Sequence, residues 1–171
     1  ATPRVPMFAD LSVAAALESG AVDPYTRIDV PAEKPYPIDD GQLFHVRDTG
    51  RYEDRVYTTS EILIRSSNVG SSTLAEVAGP DAVWDLMHGF GFGSVSGVDF
   101  PGESAGILVP FLSTVALPTA SYGQGVSVTA AQVIESFNAV ANGGVRHPLS
   151  LTSAELGTKA SERVISEQMS D

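Results

Sequence analysis

The chain has 171 residues, of which 43% are hydrophobic, and it has no cysteine and a formal net charge of -11. This length suits one folded domain and is short for two, and the hydrophobic content argues against disorder. An acidic chain repels polyanions, so we expect no nucleic-acid partner. No apolar run approaches the roughly 20 residues that a membrane-crossing helix needs, which predicts a soluble chain.

Metal and cofactor chemistry is not indicated by the sequence. The three histidines, His45, His88 and His147, are scattered and lack the spacing of metal ligands. The lack of cysteine removes thiolate ligands and disulfides. We therefore predict no metal and no cofactor.

The first third of the chain alternates between breaker-rich and helical stretches. Residues 1–10 contain two prolines and predict an irregular lead-in. An alanine-rich helix is expected from Leu11 to Ser19, with Gly20 placed to end it. From Asp23 to Glu53, proline, glycine and charged residues predict short strands and turns, with Asp40-Gly41 as a turn pair.

The stretch from Thr58 to Gly70 has the most informative pattern. Thr58 and Glu61 have the spacing of a capping box, which predicts a helix start. The apolar run that follows is interrupted by Ser66-Ser67-Asn68, whose side chains need hydrogen-bond partners. One interpretation is a helix break with local caps; the other is that Ser66 and Asn68 present a hydroxyl and a carboxamide to a cleft. The residues alone leave both open.

Further helices are expected downstream. One follows Asn68, and its apolar face is predicted to contain Val69, Leu74, Val77 and Ala78. Gly79-Pro80 ends it, and a helix from Asp81 to His88 should place Trp84 and Met87 in the core.

Glycines and prolines then predict a turn-rich connection over residues 89–104 and a buried loop from Pro110 to Pro118. A second capping box, Thr129 with Gln132, starts a helix to about Ala141. Its apolar face is predicted from four residues: Val133, Ile134, Phe137 and Val140.

Ser66-x-Asn68, within TSEILIRSSNVGSSTLAE, resembles the second active-site motif of the penicillin-binding protein transpeptidases, closest to the class B, cell-division type. Three more stretches match the family in the same order and spacing: FGFGSVSGVDFPGESAG, ASYGQGVSVTAAQ and NAVANGGVRHPLSL. A lone S-x-N is weak, whereas four stretches in order are a strong signal.

The resemblance implies a mainly α (α+β) fold, the helical subdomain of the transpeptidase and serine β-lactamase-like fold, with most of the central sheet missing. It predicts a single partial domain over residues 1–171. Its parts are a lead-in (1–10), a helix plus extended loops (11–57), a helical core with the S-x-N motif (58–147) and the start of a C-terminal part (148–171).

The resemblance also implies a function, peptidoglycan D,D-transpeptidation in cell-wall cross-linking and cell division. Ser66 and Asn68 match catalytic positions: the serine helps to move a proton to the leaving group and the asparagine holds the substrate amide. Thr49 and Gln124 are implied substrate contacts. The implied ligands are the peptidoglycan stem peptide or a β-lactam, with membrane division proteins bound through parts outside this chain. The implied location is the extracytoplasmic face of the bacterial membrane or the periplasm.

Arg47 and Asp48 match the polar pair with which the family's extended excursion ends. For these two residues we favour a solvated loop with a local Arg–Asp ion pair, which contributes little at a surface.

The chain departs from the family at the nucleophile. The serine of the S-x-x-K motif should fall at about position 5 or 6 and its lysine at about 8 or 9, where this sequence has Val5, Pro6, Phe8 and Ala9. The third motif, Lys-Thr-Gly or Lys-Ser-Gly, is also absent. Since a serine needs a neighbouring base to become a nucleophile, we expect no acyl transfer by this chain.

Three hypotheses follow: an inert part of a class B transpeptidase, a pseudo-transpeptidase that binds cell-wall peptide or a division partner, and, ranked last, a β-lactamase-type serine hydrolase.

Overall fold

The computed structural model describes residues 7–38, 41–50, 53–98, 101–153, 157 and 159–170. The helices are α1 (Met7–Glu18), α2 (Thr59–Arg65), α3 (Asn68–Ala78), α4 (Pro80–Gly89), α5 (Ala116–Ala120), α6 (Ala130–Ala141) and α7 (Glu167–Ser170). The strands are β1 (Arg27–Val30), β2 (Glu33–Pro37), β3 (Leu43–Arg47), β4 (Arg55–Thr58), β5 (Val145–Arg146) and β6 (Glu162–Arg163). Within these described ranges, no helix has the length and apolar character required to cross a bilayer.

The chain forms two compact units, Ala1–Val83 with Pro110–Gly125, and Trp84–Val109 with Val126–Asp171. In the first unit, α1 packs against α3. The core is a cluster of buried side chains from helices and strands: Val13, Ala16, Ile28, Val30, Tyr36, Val46, Tyr57, Ile62, Val69 and Leu74. Burial of this apolar surface is the main stabilising contribution to the unit.

The strands of the first unit form two antiparallel pairs, β1 with β4 and β2 with β3. Along β1, Ile28 and Val30 point into the core while Arg27 and Asp29 are exposed, the alternation expected of a half-buried strand. Arg27 lies opposite Thr58, the last residue of β4 and the N-cap of α2. The β1–β4 pair therefore fixes where α2 begins.

The predicted strands and caps of this unit are largely confirmed, and the start of α1 is not. The alanine-rich helix α1 is already helical at Met7, the first described residue, and no proline follows within it. The expected irregular lead-in is therefore wrong for residues 7–10. Residues 1–6 and Asp40 of the predicted turn lie outside the described residues.

Two expectations about burial in this unit are also wrong. Val77 is exposed, because α3 buries a face that includes Val69, Leu74 and Ala75. The segment predicted as a buried loop has Leu112 exposed, and only its part from Ala116 onward is helical, as the start of α5.

The second unit is organised by the polar face of α6. Gln132 is fully buried, and its Nε2 donates to the carbonyl oxygens of Gly91, Ser94 and Ala105 at 3.1, 2.7 and 2.9 Å. Glu135 is 1% exposed and accepts a 2.9 Å hydrogen bond from the Leu149 amide. The Gln132 bonds satisfy carbonyl groups of the turn-rich segment that follows α4, and the Glu135 bond satisfies an amide of the segment after β5.

The opposite, apolar face of α6 is largely exposed. The capping box of Thr129 with Gln132 is present as predicted. Three of the four side chains of the predicted apolar face are exposed, Ile134 by 57%, Phe137 by 51% and Val140 by 42%, and the fourth, Val133, is half-buried. The helix buries the polar Gln132 and Glu135 because loop carbonyls and amides, rather than apolar side chains, lie against that face.

The end of the second unit contains a strand pair and a short helix. β5 pairs with β6, and α7 follows. Within α4, Met87 is buried as predicted, while Trp84 is half-buried and contacts the His88 ring at 4.5 Å between centroids.

Candidate active site

The junction between α2 and α3 contains the S-x-N motif. The N–H of Ser66 donates to Leu63 O at 3.0 Å, and the N–H of Ser67 donates to Ile62 O at 3.1 Å. This pair of bonds is a Schellman motif, which normally places glycine in the left-handed conformation at the first residue after the helix. Ser66 takes that conformation, with φ 49° and ψ 51°.

The backbone of Ser66 is unusual for a residue with a side chain. It is the one non-glycine residue of the described ranges with a positive φ. The left-handed region costs an L-residue about 1 kcal/mol or more, because Cβ approaches the carbonyl oxygen. Such positions occur preferentially at functional sites. Ser66 is also exposed, so its hydroxyl is accessible.

Ser67 and Asn68 begin α3. Ser67 is the buried N-cap, and its Oγ accepts a hydrogen bond from the Gly70 N–H at 2.9 Å. Asn68 is the first helical residue and half-buried, and its Nδ2 donates to Arg47 O at 3.0 Å. The helix break with local caps is therefore confirmed, and the presentation of Ser66 and Asn68 to a cleft stays a prediction.

Arg47 and Asp48 do not form the predicted local ion pair in a solvated loop. Arg47 pairs with Glu33 across the β2–β3 hairpin, with Nε 2.6 Å from Oε2, and this hydrogen bond holds the pKa of Glu33 below its ordinary value. Asp48 is 8% exposed, and its carboxylate accepts hydrogen bonds from Ser67 Oγ at 2.7 Å and the Val69 N–H at 3.1 Å. The prediction failed because Asp48 binds residues distant in sequence: Ser67, within the S-x-N motif, and Val69, directly after it.

The other predicted site residues lie in turns. Thr49 directly follows Asp48 and is exposed, which puts it next to the residue that contacts the motif. Gln124 is exposed in the turn after α5, where its N–H donates to Thr119 O at 2.9 Å. The contacts of the described residues do not join Gln124 to Ser66 or Asn68, so its role stays a prediction.

The helix that should carry the nucleophile is present as α1, but the serine and lysine of the S-x-x-K motif are not at the expected positions. Val5 and Pro6 lie outside the described residues, while Phe8 and Ala9 lie in α1. Phe8 lies close to the Gly123 backbone: a Cβ added at Gly123 would be 2.7 Å from Phe8 Cδ2. An aromatic ring here offers neither a base nor a nucleophile.

The three histidines lie in separate environments. His45 Nδ1 lies 3.3 Å from Glu33 Oε1, the His88 ring contacts the Trp84 ring, and His147 Nδ1 lies 2.6 Å from Ser161 Oγ. Among the described residues there is no group of three or more potential ligands that could hold a metal ion.

Comparison with known proteins identifies the family. The model of the penicillin-binding protein transpeptidase domain matches residues 11–171. The chain is 36% identical over 140 residues to penicillin-binding protein PbpB of Mycolicibacterium smegmatis, covering 81% of this chain and 21% of that protein. It is 34% identical over 143 residues to the probable peptidoglycan D,D-transpeptidase PbpC of Pseudomonas aeruginosa, covering 82% of this chain and 24% of that protein.

Solved structures agree with these relatives. Penicillin-binding protein 3 of Mycobacterium tuberculosis, without ligand, superimposes with a TM-score of 0.84 at 30% identity, covering 95% of this chain and 38% of that one. The structure of its complex with aztreonam superimposes with a TM-score of 0.82, also at 30% identity. The fold is that of a part of a transpeptidase domain.

The chain belongs to the penicillin-binding protein transpeptidase domain family. This confirms the resemblance inferred from the S-x-N stretch and its three companions. The chain spans about a fifth to a quarter of the two curated relatives described above.

Sequence reasoning missed two residues of the site, Asp48 and Ser67. Asp48 had a detectable signal, because an Arg-Asp pair closing an alternating strand matches the family's path toward the motif. Ser67 was passed over as the variable middle residue of S-x-N, although a serine immediately before a helix is a strong N-cap signal.

Proposed function

We propose that this chain is part of a class B, cell-division-type peptidoglycan D,D-transpeptidase, to which it contributes the S-x-N side of the peptide site. The observation that carries the proposal is Ser66, an exposed serine in a left-handed conformation that flanking hydrogen bonds determine. Asn68, two residues on, has its side chain oriented by Arg47 O.

In this proposal the two residues have separate tasks. The Ser66 hydroxyl both donates and accepts hydrogen bonds, so it suits proton transfer to a leaving amine. The Asn68 carboxamide suits an amide of the substrate. The ligand is the D-Ala-D-Ala end of a stem peptide, or a β-lactam that resembles it. Thr49 and Gln124 are proposed as additional contacts to that ligand.

The chain is proposed to be unable to form an acyl-enzyme by itself. Acyl transfer needs an activated nucleophile. The family positions for the serine and its lysine hold Val5 or Pro6 and Phe8 or Ala9, and the third motif is absent from the sequence.

The remaining part of the fold is proposed to include most of the central sheet. Supporting this, Ile134, Phe137 and Val140 leave an apolar stripe exposed on α6. Contiguous exposed apolar surface normally marks a site of packing. In the whole protein, the remaining parts would also carry the contacts to membrane division proteins at the extracytoplasmic face.

Two assays on the purified chain test this proposal. Incubation with a fluorescent penicillin should give no covalently labelled band, and a labelled band would overturn the non-acylating assignment. Titration of a ¹⁵N-labelled sample with an acyl-D-Ala-D-Ala peptide should shift the Asn68 side-chain resonances. No shift at millimolar peptide would remove the support for a peptide site.

The alternative function, a pseudo-transpeptidase that binds cell-wall peptide or a division partner, is favoured by the first unit's own buried core around α1 and α3. The two functions are distinguished by the affinity of the chain alone. Tight, saturable binding of a stem peptide supports a binding module, whereas weak binding supports a part of an enzyme.

A further inference from the structure

Two consecutive residues at the end of β3 hold three consecutive residues of the α2–α3 junction. The Asp48 carboxylate uses both oxygens: Oδ2 accepts from Ser67 Oγ at 2.7 Å and Oδ1 accepts from the Val69 N–H at 3.1 Å. Arg47 O accepts from Asn68 Nδ2 at 3.0 Å. The β2–β3 hairpin is thereby joined to Ser67, Asn68 and Val69, the three residues that follow Ser66.

The chemistry of Asp48 fits this contact closely. A carboxylate is an acceptor at both oxygens, and here both neighbours are donors. The site also lies at the N-terminus of α3, where the unpaired N–H groups favour negative charge. An asparagine would place an NH2 group toward one of the two donors, so the amide is not an equivalent replacement.

The contact also explains how Ser66 tolerates its backbone conformation. A positive φ in a residue with a Cβ persists only where the surroundings determine it. On the α2 side, Ser66 and Ser67 are fixed by their bonds to Leu63 O and Ile62 O. On the α3 side, Ser67 is fixed by Asp48, and its Oγ also receives the Gly70 N–H.

We propose that Asp48 is a positioning residue for the S-x-N motif. Its buried carboxylate fixes Ser67 and the start of α3. This keeps the Ser66 backbone left-handed and its hydroxyl exposed. It also keeps the Asn68 carboxamide in position to donate to Arg47 O. The proposal rests on the proposed function of Ser66 and Asn68 in the peptide site. Asp48 acts through its neighbours and does not touch the substrate.

The first measurement tests the geometry without any ligand. In the ¹⁵N,¹³C-labelled chain, Ser66 should show the strong intraresidue NOE between its amide and α protons that a positive φ produces. In Asp48→Asn this signal should weaken and the Asn68 NH2 resonances should move. The matched control is Asp54→Asn, since Asp54 accepts a single backbone N–H, from Ala32 at 2.9 Å, in the same unit. Asp54→Asn should leave both signals unchanged.

A second variant keeps the test decisive if Asp48→Asn fails to fold. Ser67→Ala removes the hydroxyl that donates to Asp48 and leaves the carboxylate bound to the Val69 N–H. It should disturb the same Ser66 and Asn68 signals. Unchanged signals in a folded Asp48→Asn or Ser67→Ala chain would overturn the proposal.

Binding of the acyl-D-Ala-D-Ala peptide separates this proposal from the proposed function. If the unmodified chain binds, Asp48→Asn should weaken affinity about tenfold, as Asn68→Ala should, while Asp54→Asn should not. Loss in Asn68→Ala with full affinity in Asp48→Asn overturns the positioning role alone. If the unmodified chain does not bind, the proposed function fails, and the Ser66 and Asn68 signals still decide whether Asp48 determines the geometry.

Discussion

Gly70 lies directly against Ile62: a Cβ added at Gly70 would be 2.7 Å from Ile62 Cγ1 and 2.8 Å from Cγ2. Ile62 is fully buried in α2, and Gly70 is in the first turns of α3. The two helices that flank Ser66 therefore meet at a contact that admits no side chain on one partner.

Gly70→Ala should destabilise the chain because the new methyl group would overlap a branched side chain that has no room to move. Overpacking of this kind costs about 1 to 3 kcal/mol. Urea unfolding followed by circular dichroism measures the change. Combining Gly70→Ala with Ile62→Ala provides the control, since the double variant should be more stable than the sum of the two single effects predicts. Strict additivity would contradict the contact.

Gln132 is predicted to be essential for the stability of the second unit. Gln132→Leu has a similar volume but removes the NH2 group that donates to Gly91 O, Ser94 O and Ala105 O. Leaving buried carbonyl groups without donors should cost about 1 to 3 kcal/mol. Asn138→Leu, at an exposed position on the same helix, is the control and should change the unfolding free energy little. Equal effects of both variants would contradict the role of Gln132.

Local features of this fold were predictable from the sequence, and contacts between distant residues were not. The capping boxes of Thr58 with Glu61 and Thr129 with Gln132 were confirmed because each depends on residues three positions apart. Asp48 and Ser67 are 19 positions apart, and their contact depends on where the β2–β3 hairpin places its last residue.

The face that α6 buries was not predictable for a different reason. Periodicity shows that Ile134, Phe137 and Val140 share a face, but it does not show what covers that face. The sequence analysis assigned Gln132 only to the capping box and gave Glu135 no role, although the turn-rich segment near them has many backbone groups to satisfy. Similarly, Ser66 gave no sign of a positive φ, since glycine or asparagine is the usual residue there.

The capping box of α2 should make the free energy of unfolding depend on pH in the acidic range. Hydrogen bonds from the backbone N–H and the hydroxyl of Thr58 lower the pKa of the Glu61 carboxyl below its ordinary value. A carboxyl whose pKa is lower in the folded state stabilises the protein above its unfolded pKa of about 4.3. That contribution is lost as the pH falls through the lower, folded pKa.

Glu61→Gln isolates this contribution, because glutamine preserves the capping box but does not titrate. The variant should be less stable than the unmodified chain near neutral pH, and the difference should shrink as the pH falls to about 3. Thermal unfolding at a series of pH values gives the difference. The pKa values of Glu33 and Glu103 are lowered as well. Because both chains contain these residues, their contribution to the pH dependence cancels in the difference between the variant and the unmodified chain. A difference that stays constant with pH would show that Glu61 does not titrate with folding.

The exposed stripe of α6 gives a prediction that separates the chain alone from the whole protein. Phe137→Glu should leave the unfolding temperature of this chain nearly unchanged and reduce its self-association, because Phe137 is 51% exposed. Ala139→Glu, two residues along the same helix, is the matched contrast: Ala139 is fully buried, so a carboxylate there should prevent folding.

In the whole transpeptidase, Phe137→Glu should instead destabilise strongly, since the proposed central sheet would cover the stripe and a buried unpaired carboxylate is costly. Differential scanning calorimetry of both forms, with Asn138→Glu as the exposed control, measures the contrast. If Phe137→Glu is equally harmless in the whole protein, the stripe is solvent-facing there as well, and the sheet does not pack against α6.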